Sequence, residues 1–196
     1  IEDGIRRMYG DQEQCFYYIT VMNEQYEMPA MPEGAREGII KGLYKFRAAA
    51  KPGKAKAQLL GSGAILNEVV KAQELLAGYG VEADVWRAAS YNELYRDAHR
   101  VERWNLWHPT EPKQVPYVAQ CLAGTEGVVV AASDYLKSQP DMISRWIGRP
   151  VVTLGTDGFG RSEDRPSLRK FFEVDARHIA PATLAALHRG GAIDAK

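Results

Sequence analysis

Apolar positions along the chain change their spacing from segment to segment, and that spacing predicts the elements. Residues 1–10 read as the end of a helix, with Ile5 and Met8 on one side and Gly10 at the stop. "CFYYITVM" (15–22) is aromatic and β-branched on both alternating faces, which predicts a strand buried on both sides. "NEQYEMPAMPEG" (23–34) carries two prolines and no periodicity, and reads as a linker. "REGIIKGLYKF" (36–46) fits helix or strand, and "AAAKPGKAK" (48–56) a turn or exposed loop.

A regular alternation follows. "AKAQLLGSG" (55–63), "EADVWRAAS" (82–90), "GVVVAAS" (127–133) and "PVVTLGTDG" (150–158) read as strands. "AILNEVVKAQELLAGYG" (64–80) is the clearest helix. Leu66, Val69, Val70, Gln73 and Leu76 share its apolar stripe, only Gln73 being polar, and Gly80 ends it. Further helices are expected over 91–104, 117–124, 134–148 (with Pro140 inside or interrupting it), 165–174 and 180–191, the last with Pro181 at its first position and Gly190 at its stop. Strand–helix alternation with apolar strands predicts an α/β fold of three layers, a doubly wound and mostly parallel sheet covered on both faces. The prolines at 29 and 32 place a boundary between residues 1–32 and a domain over 33–196.

Composition narrows the function classes. Hydrophobic residues make up 45% and charged residues 26%, and 25 basic side chains balance 25 acidic ones. No bulk field draws in nucleic acid or anionic lipid, so neither nucleic acid nor a membrane is an expected partner. No apolar run reaches the ~20 residues a membrane helix needs. Cys15 and Cys121 form no disulfide framework, which suits a reduced, cytoplasmic setting. The opening "IEDGIRRMYG", without an initiator Met, reads as a cut from a longer chain.

Two glycine-rich turns are candidates for chemistry. "GSGAIL" (61–66) joins a strand to a helix, where a phosphate can sit, but Leu66 replaces the third glycine of the dinucleotide fingerprint. It is either a structural turn or an anion site. "TDGFGRS" (156–162) leaves a strand at the edge where such sheets bind ligands. There Asp157 can bond its own loop backbone, Gly158 and Gly160 widen the backbone's options, and Asp164 or Ser162 can cap the next helix. Arg161 and Arg165 can receive a carboxylate or phosphate. Loop architecture and a ligand or interdomain contact both remain open. His108, between two Trps and a proline, reads as packed or at the surface. His99, His108, His178 and His188 show no metal-ligand spacing, and no nucleophile elbow or Walker loop appears.

The blocks "FYYITVMNEQYEMPAMPEGAREGIIKGLY", "LLGSG", "SYNELYRDA", "ERWNLWHP", "LGTDGFGRSEDRPSLRKFFEVDA" and "RGGAID" resemble, in that order, the C-terminal end of the homodimeric bacterial pyruvate dehydrogenase decarboxylating components, a transketolase-like family. The resemblance covers nearly the whole chain. It implies a five-stranded transketolase-type C-terminal domain at 33–196 and the tail of a pyrimidine-binding domain at 1–32. For the parent it implies thiamine diphosphate and Mg²⁺, decarboxylation of pyruvate, and acetyl transfer to a lipoyl arm. The implied partners are a second subunit, the upstream domains and the dihydrolipoamide acetyltransferase component. The family's cofactor motif, Gly-Asp-Gly followed by Asn, is absent: neither Asp3-Gly4 nor Asp157-Gly158 follows a glycine, and no Asn comes after Asp157. No catalytic residue, cofactor or metal is therefore expected in this stretch. Contacts are expected instead at Asp157, Gly158, Gly160, Arg161, Ser162, Arg165 and His108. Lys170 and Phe171 stand where the family often has two histidines, so no role of those histidines carries over. The alternative is a regulatory module that binds a small anion at the glycine loops.

Overall fold

The computed structural model describes residues 1–22 and 25–194, in two compact units, 1–30 and 31–196. In the first, helix α1 (Glu2–Ile5) runs into a π-helical turn over Arg6–Gly10. The Tyr17 hydroxyl donates to Asp3 Oδ2 at 2.5 Å and accepts from Arg7 at 2.9 Å. Its ring lies against Gly4, where a β-carbon would sit 3.1 Å from it. Arg7 also bonds Glu13, and Arg6 pairs with Asp3 and Asp11.

The expected strand at 15–22 is not there: none of the described strands pairs with these residues. β-propensity supplies side chains that suit a sheet, but a strand exists only where a neighbour takes its backbone hydrogen bonds. The expected burial fails with it, since Phe16, Tyr18 and Val21 are exposed.

The second unit is built on five strands: β1 (Leu43–Arg47), β2 (Ala55–Gly61), β3 (Val81–Ala88), β4 (Val128–Ala132) and β5 (Val151–Leu154). Their order is β1-β3-β2-β4-β5. β1 runs antiparallel to β3 with a register shift between Lys45 and Arg47, and every other pairing is parallel. The ambiguous stretch 36–46 is both of its alternatives in turn, helix α2 (Arg36–Lys41) and then β1.

Alternation along the strands separates two cores. Ala57 and Leu59 of β2, Ala83 and Val85 of β3, and Val130 and Ala132 of β4 meet α3 (Ile65–Gly78) and α8 (Ala176–Arg189). Leu60, Trp86, Val129 and Ala131 face the other way, onto α4 (Tyr91–Trp107), α5 (Tyr117–Leu122) and α6 (Ser138–Ser144). Gln73 and Trp86 are paired in these layers, whereas the buried Tyr91 hydroxyl has no hydrogen-bond partner among the described residues. Gln73, the polar member of the α3 stripe, donates to the Ala83 and Ala48 carbonyls and accepts from Arg47. Trp86 donates its indole N–H to Gln58 at 2.8 Å.

Two helices differ from expectation. α8 begins at Ala176, because Asp175 accepts the His178 N–H at 3.0 Å and Ile179 and Ala180 of the first turns are core residues. Pro181 therefore lies inside the helix, where it lacks the N–H that residue 177 would receive. α6 spans only Ser138–Ser144, with Pro140 in its first turn, where no intrahelical donor is needed.

Candidate functional site

The parallel strands direct their C-terminal ends to one edge, where β4 and β5 each lead into a loop. Backbone groups stitch these loops together. Thr156 donates its N–H to the Tyr135 carbonyl at 2.8 Å and its hydroxyl to the Asp134 carbonyl at 2.8 Å. Asp157 does not bond its own loop: its Oδ1 accepts the Lys137 N–H at 3.0 Å, with the Lys137 ammonium 3.7 Å from its other oxygen. Ser133, fully buried, donates its N–H to Leu154 and accepts the Tyr135 N–H on its hydroxyl. A β-carbon at Gly155 would fall 2.6 Å from the Tyr135 carbonyl oxygen, so only glycine allows this approach.

Past Gly158, whose φ is +83°, the loop turns outward and leaves Phe159 92% exposed. Arg161 lies 5.3 Å over the Phe171 ring, and Ser162 is exposed. Asp164 caps α7 (Arg165–Phe171) by accepting the Ser167 N–H at 2.7 Å. Beneath α7, buried Glu68 of α3 accepts from Arg169 at 3.3 Å, from Lys71 at 2.9 Å and from the Ala176 N–H at 3.2 Å. Asp134 keeps solvent on one side, yet burial pushes its carboxyl above the usual aspartate range; the charges of Arg169 and Arg165 pull it part of the way back.

The edge thus gathers Asp157, Gly158, Gly160, Arg161, Ser162 and Arg165 in one loop and helix start. His108 is not part of it. α4 starts at this edge and runs 17 residues away from it, about 25 Å at 1.5 Å per residue. At its far end His108 stacks on Trp104 with ring centroids 4.4 Å apart, its Nδ1 2.8 Å from the Trp104 carbonyl. Sequence reasoning missed Asp134, Tyr135 and Lys137, which are 20 to 22 residues away from their partners and act largely through the backbone. It also missed Glu68, whose only signal was a carboxylate beside the α3 apolar stripe.

The small-anion reading of the glycine loops finds no support. At the first turn a β-carbon on Gly61 would meet the Leu66 α-carbon at 2.9 Å and Val69 at 3.0 Å, so helix backbone and core fill the turn. At the second, Asp157 spends its carboxylate on the neighbouring loop. No three His, Cys, Asp or Glu side chains come together to hold a metal among the described residues. Beyond these paired groups the edge leaves Phe159 and Phe171 exposed, with Arg161 over the Phe171 ring.

A mixed five-stranded sheet with helices on both faces defines a three-layer α/β domain. The chain belongs to the transketolase-like TK C-terminal domain family, which matches residues 42–175. Residues 1–29 match the pyruvate dehydrogenase E1 component middle domain. Its curated relatives include the pyruvate dehydrogenase E1 components of Haemophilus influenzae (52% identical over 98% of this chain), Pseudomonas aeruginosa (49% over 100%) and Escherichia coli K12 (48% over 100%). The chain spans only 22% of the length of each. Among solved structures, the transketolase of Leishmania mexicana superposes with a TM-score of 0.55 at 16% identity, over 81% of this chain and 20% of that one. The Campylobacter jejuni transketolase does so with 0.51 at 14%, over 81% and 20%. These two likenesses establish the fold. No helix among the described residues is long and apolar enough to cross a membrane.

Proposed function

We propose that this chain is the C-terminal, non-catalytic portion of a homodimeric, thiamine-diphosphate-dependent pyruvate dehydrogenase E1 component. The observation that carries the proposal is similarity along the whole chain, at 48–52% identity, to proteins of that name. In this reading the longer enzyme decarboxylates pyruvate in the cytoplasm and passes the acetyl group to the lipoyl arm of the acetyltransferase component. Residues 1–32 are the tail of its middle domain, and 33–196 its C-terminal domain. Thiamine diphosphate and Mg²⁺ are assigned to upstream parts, a reading supported by the absence of the Gly-Asp-Gly and Asn motif from this sequence. The stitched loops at 133–137 and 155–157 lead into residues 158–162, where Phe159 and Arg161 form a contact surface for the partner subunit or the upstream domains. The exposure of Phe159 and Phe171, with Arg161 over the Phe171 ring, supports this.

Calorimetric titration of the 196-residue chain with thiamine diphosphate and Mg²⁺, followed by a CO₂-release assay with pyruvate, tests the proposal. No binding and no release are expected; saturable binding or turnover would overturn it. In the longer enzyme, Arg161→Ala is expected to weaken the dimer or lower activity generally, and unchanged behaviour in both removes the contact role.

A further inference from the structure

Among the described helices of the second unit, α7 alone has no buried residue. Many bonds of the stretch around it are local: Asp164 accepts the Ser167 N–H, Arg161 lies over the Phe171 ring, and Phe171 meets Phe172 edge-on. Its inward ties include charged ones. Arg169, 17% exposed at its side chain, donates to Glu68, 8% exposed, at 3.3 Å, and Arg165 and Arg169 both attract the Asp134 carboxylate. Two residues of positive φ bound the stretch, Gly158 at +83° and Glu173 at +59°. Outside them Thr156 and Asp157 are bonded to the neighbouring loop, and Val174 belongs to the core. We propose that residues 158–171 form a strap that undocks as one unit, with Arg169 on Glu68 as its latch.

Helix length makes the strap a unit. Seven residues do not sustain a helix in water, so α7 persists only while docked, and undocking releases its hydrogen bonds together. Phe172, packed against the first core, stays behind with Val174, so the sheet and α8 need not move. Burial makes Arg169 the latch. A buried carboxylate stripped of every partner is costly, but Glu68 keeps Lys71 at 2.9 Å and the Ala176 N–H at 3.2 Å when Arg169 leaves. Opening therefore strands no bare charge and lies well below global unfolding. Phe159, Arg161 and Phe171 all ride on the strap, so opening scatters the three groups of the proposed contact surface at once. That consequence rests on the contact reading given above; the strap and its latch do not.

Hydrogen exchange on the 196-residue chain at rising, sub-denaturing urea tests the proposal. Amides of residues 168–172 are expected to be protected at least about tenfold less than those of β2 and β4, with a weaker urea dependence, because strap opening exposes less surface than unfolding. Arg169→Gln is expected to lower their protection by about a further tenfold, since the docked strap then has no buried pair to lose. Lys71→Gln removes a Glu68 partner that the open strap keeps, and is expected not to lower it. Protection and urea dependence at 168–172 equal to those of β2 and β4 in the unaltered chain would overturn the proposal, and this readout needs no variant to fold. So would an Arg169→Gln chain with unchanged amides at 168–172, or a Lys71→Gln chain that opens them as much. The Arg161→Ala test in the longer enzyme addresses the contact reading alone, so either can fail without the other.

Discussion

At the scale of single residues, the loop at the ligand edge depends on Gly155. Both nearest atoms to a β-carbon there, the Tyr135 carbonyl oxygen at 2.6 Å and the Lys137 nitrogen at 2.8 Å, are backbone and cannot rotate away. Gly155→Ala is therefore expected to destabilise the second unit by about 2 kcal/mol, as overpacking does, read by urea unfolding. Asp134 gives a prediction in pH. Its folded-state pKa is raised, so the folded state disfavours the charged form. The protonated carboxyl costs nothing below the ordinary aspartate range, and the penalty appears as pH rises through it. Asp134→Asn should match the parent chain in thermal unfolding at pH 3 and exceed it at pH 7; equal melting at both would show that the carboxyl is not strained. The sequence displayed "TDGFGRS" openly because glycine, Asp and Arg are informative wherever they stand. It hid the other half of the site, since Tyr135 and Lys137 contribute backbone groups, which every residue has.

At the scale of elements, α7 is only seven residues long, too short to hold itself without tertiary contacts and caps. Asp164→Ala removes the acceptor of the Ser167 N–H and is expected to cost about 1 kcal/mol, while Asp164→Asn keeps most of it. Urea unfolding of the two variants side by side checks this. Elements were readable wherever one signal agreed with the next: α3 shows a helical stripe closed by Gly80, and β4 an apolar run of strand length. They were misread where local signals competed. Pro181 marked a plausible helix start, but Asp175 offered an equally good cap five residues earlier, and burial of Ile179 and Ala180 decided in its favour. At 15–22 the side chains called for a strand, but no described strand lies alongside to form a ladder.

At the scale of the whole molecule, the three layers and the mostly parallel sheet followed from strand–helix alternation, whereas the antiparallel edge did not. The reversal of β1 is fixed by pairing with β3, and nothing in "LYKFR" records direction. Both hydrophobic clusters begin at Leu43 or later, and none of the described residues of 1–30 belongs to them. Deleting residues 1–30 should therefore leave a cooperatively folding unit whose melting temperature moves by less than about 3 °C, under 1 kcal/mol for a domain of this size. The opposite end behaves otherwise. Val174, Ile179, Ala180 and Leu187 are core members packed against α3 and the sheet. Ending the chain at residue 173 would uncover β4 and β5 on the α8 side of the sheet together with the inner side of α3. Such a truncation is expected to lose cooperative unfolding and to bind a hydrophobic dye, while the N-terminal deletion does neither. If the N-terminal deletion also abolished the cooperative transition, residues 1–30 would belong to the fold of the second unit, and its core could not be the two-faced sheet alone.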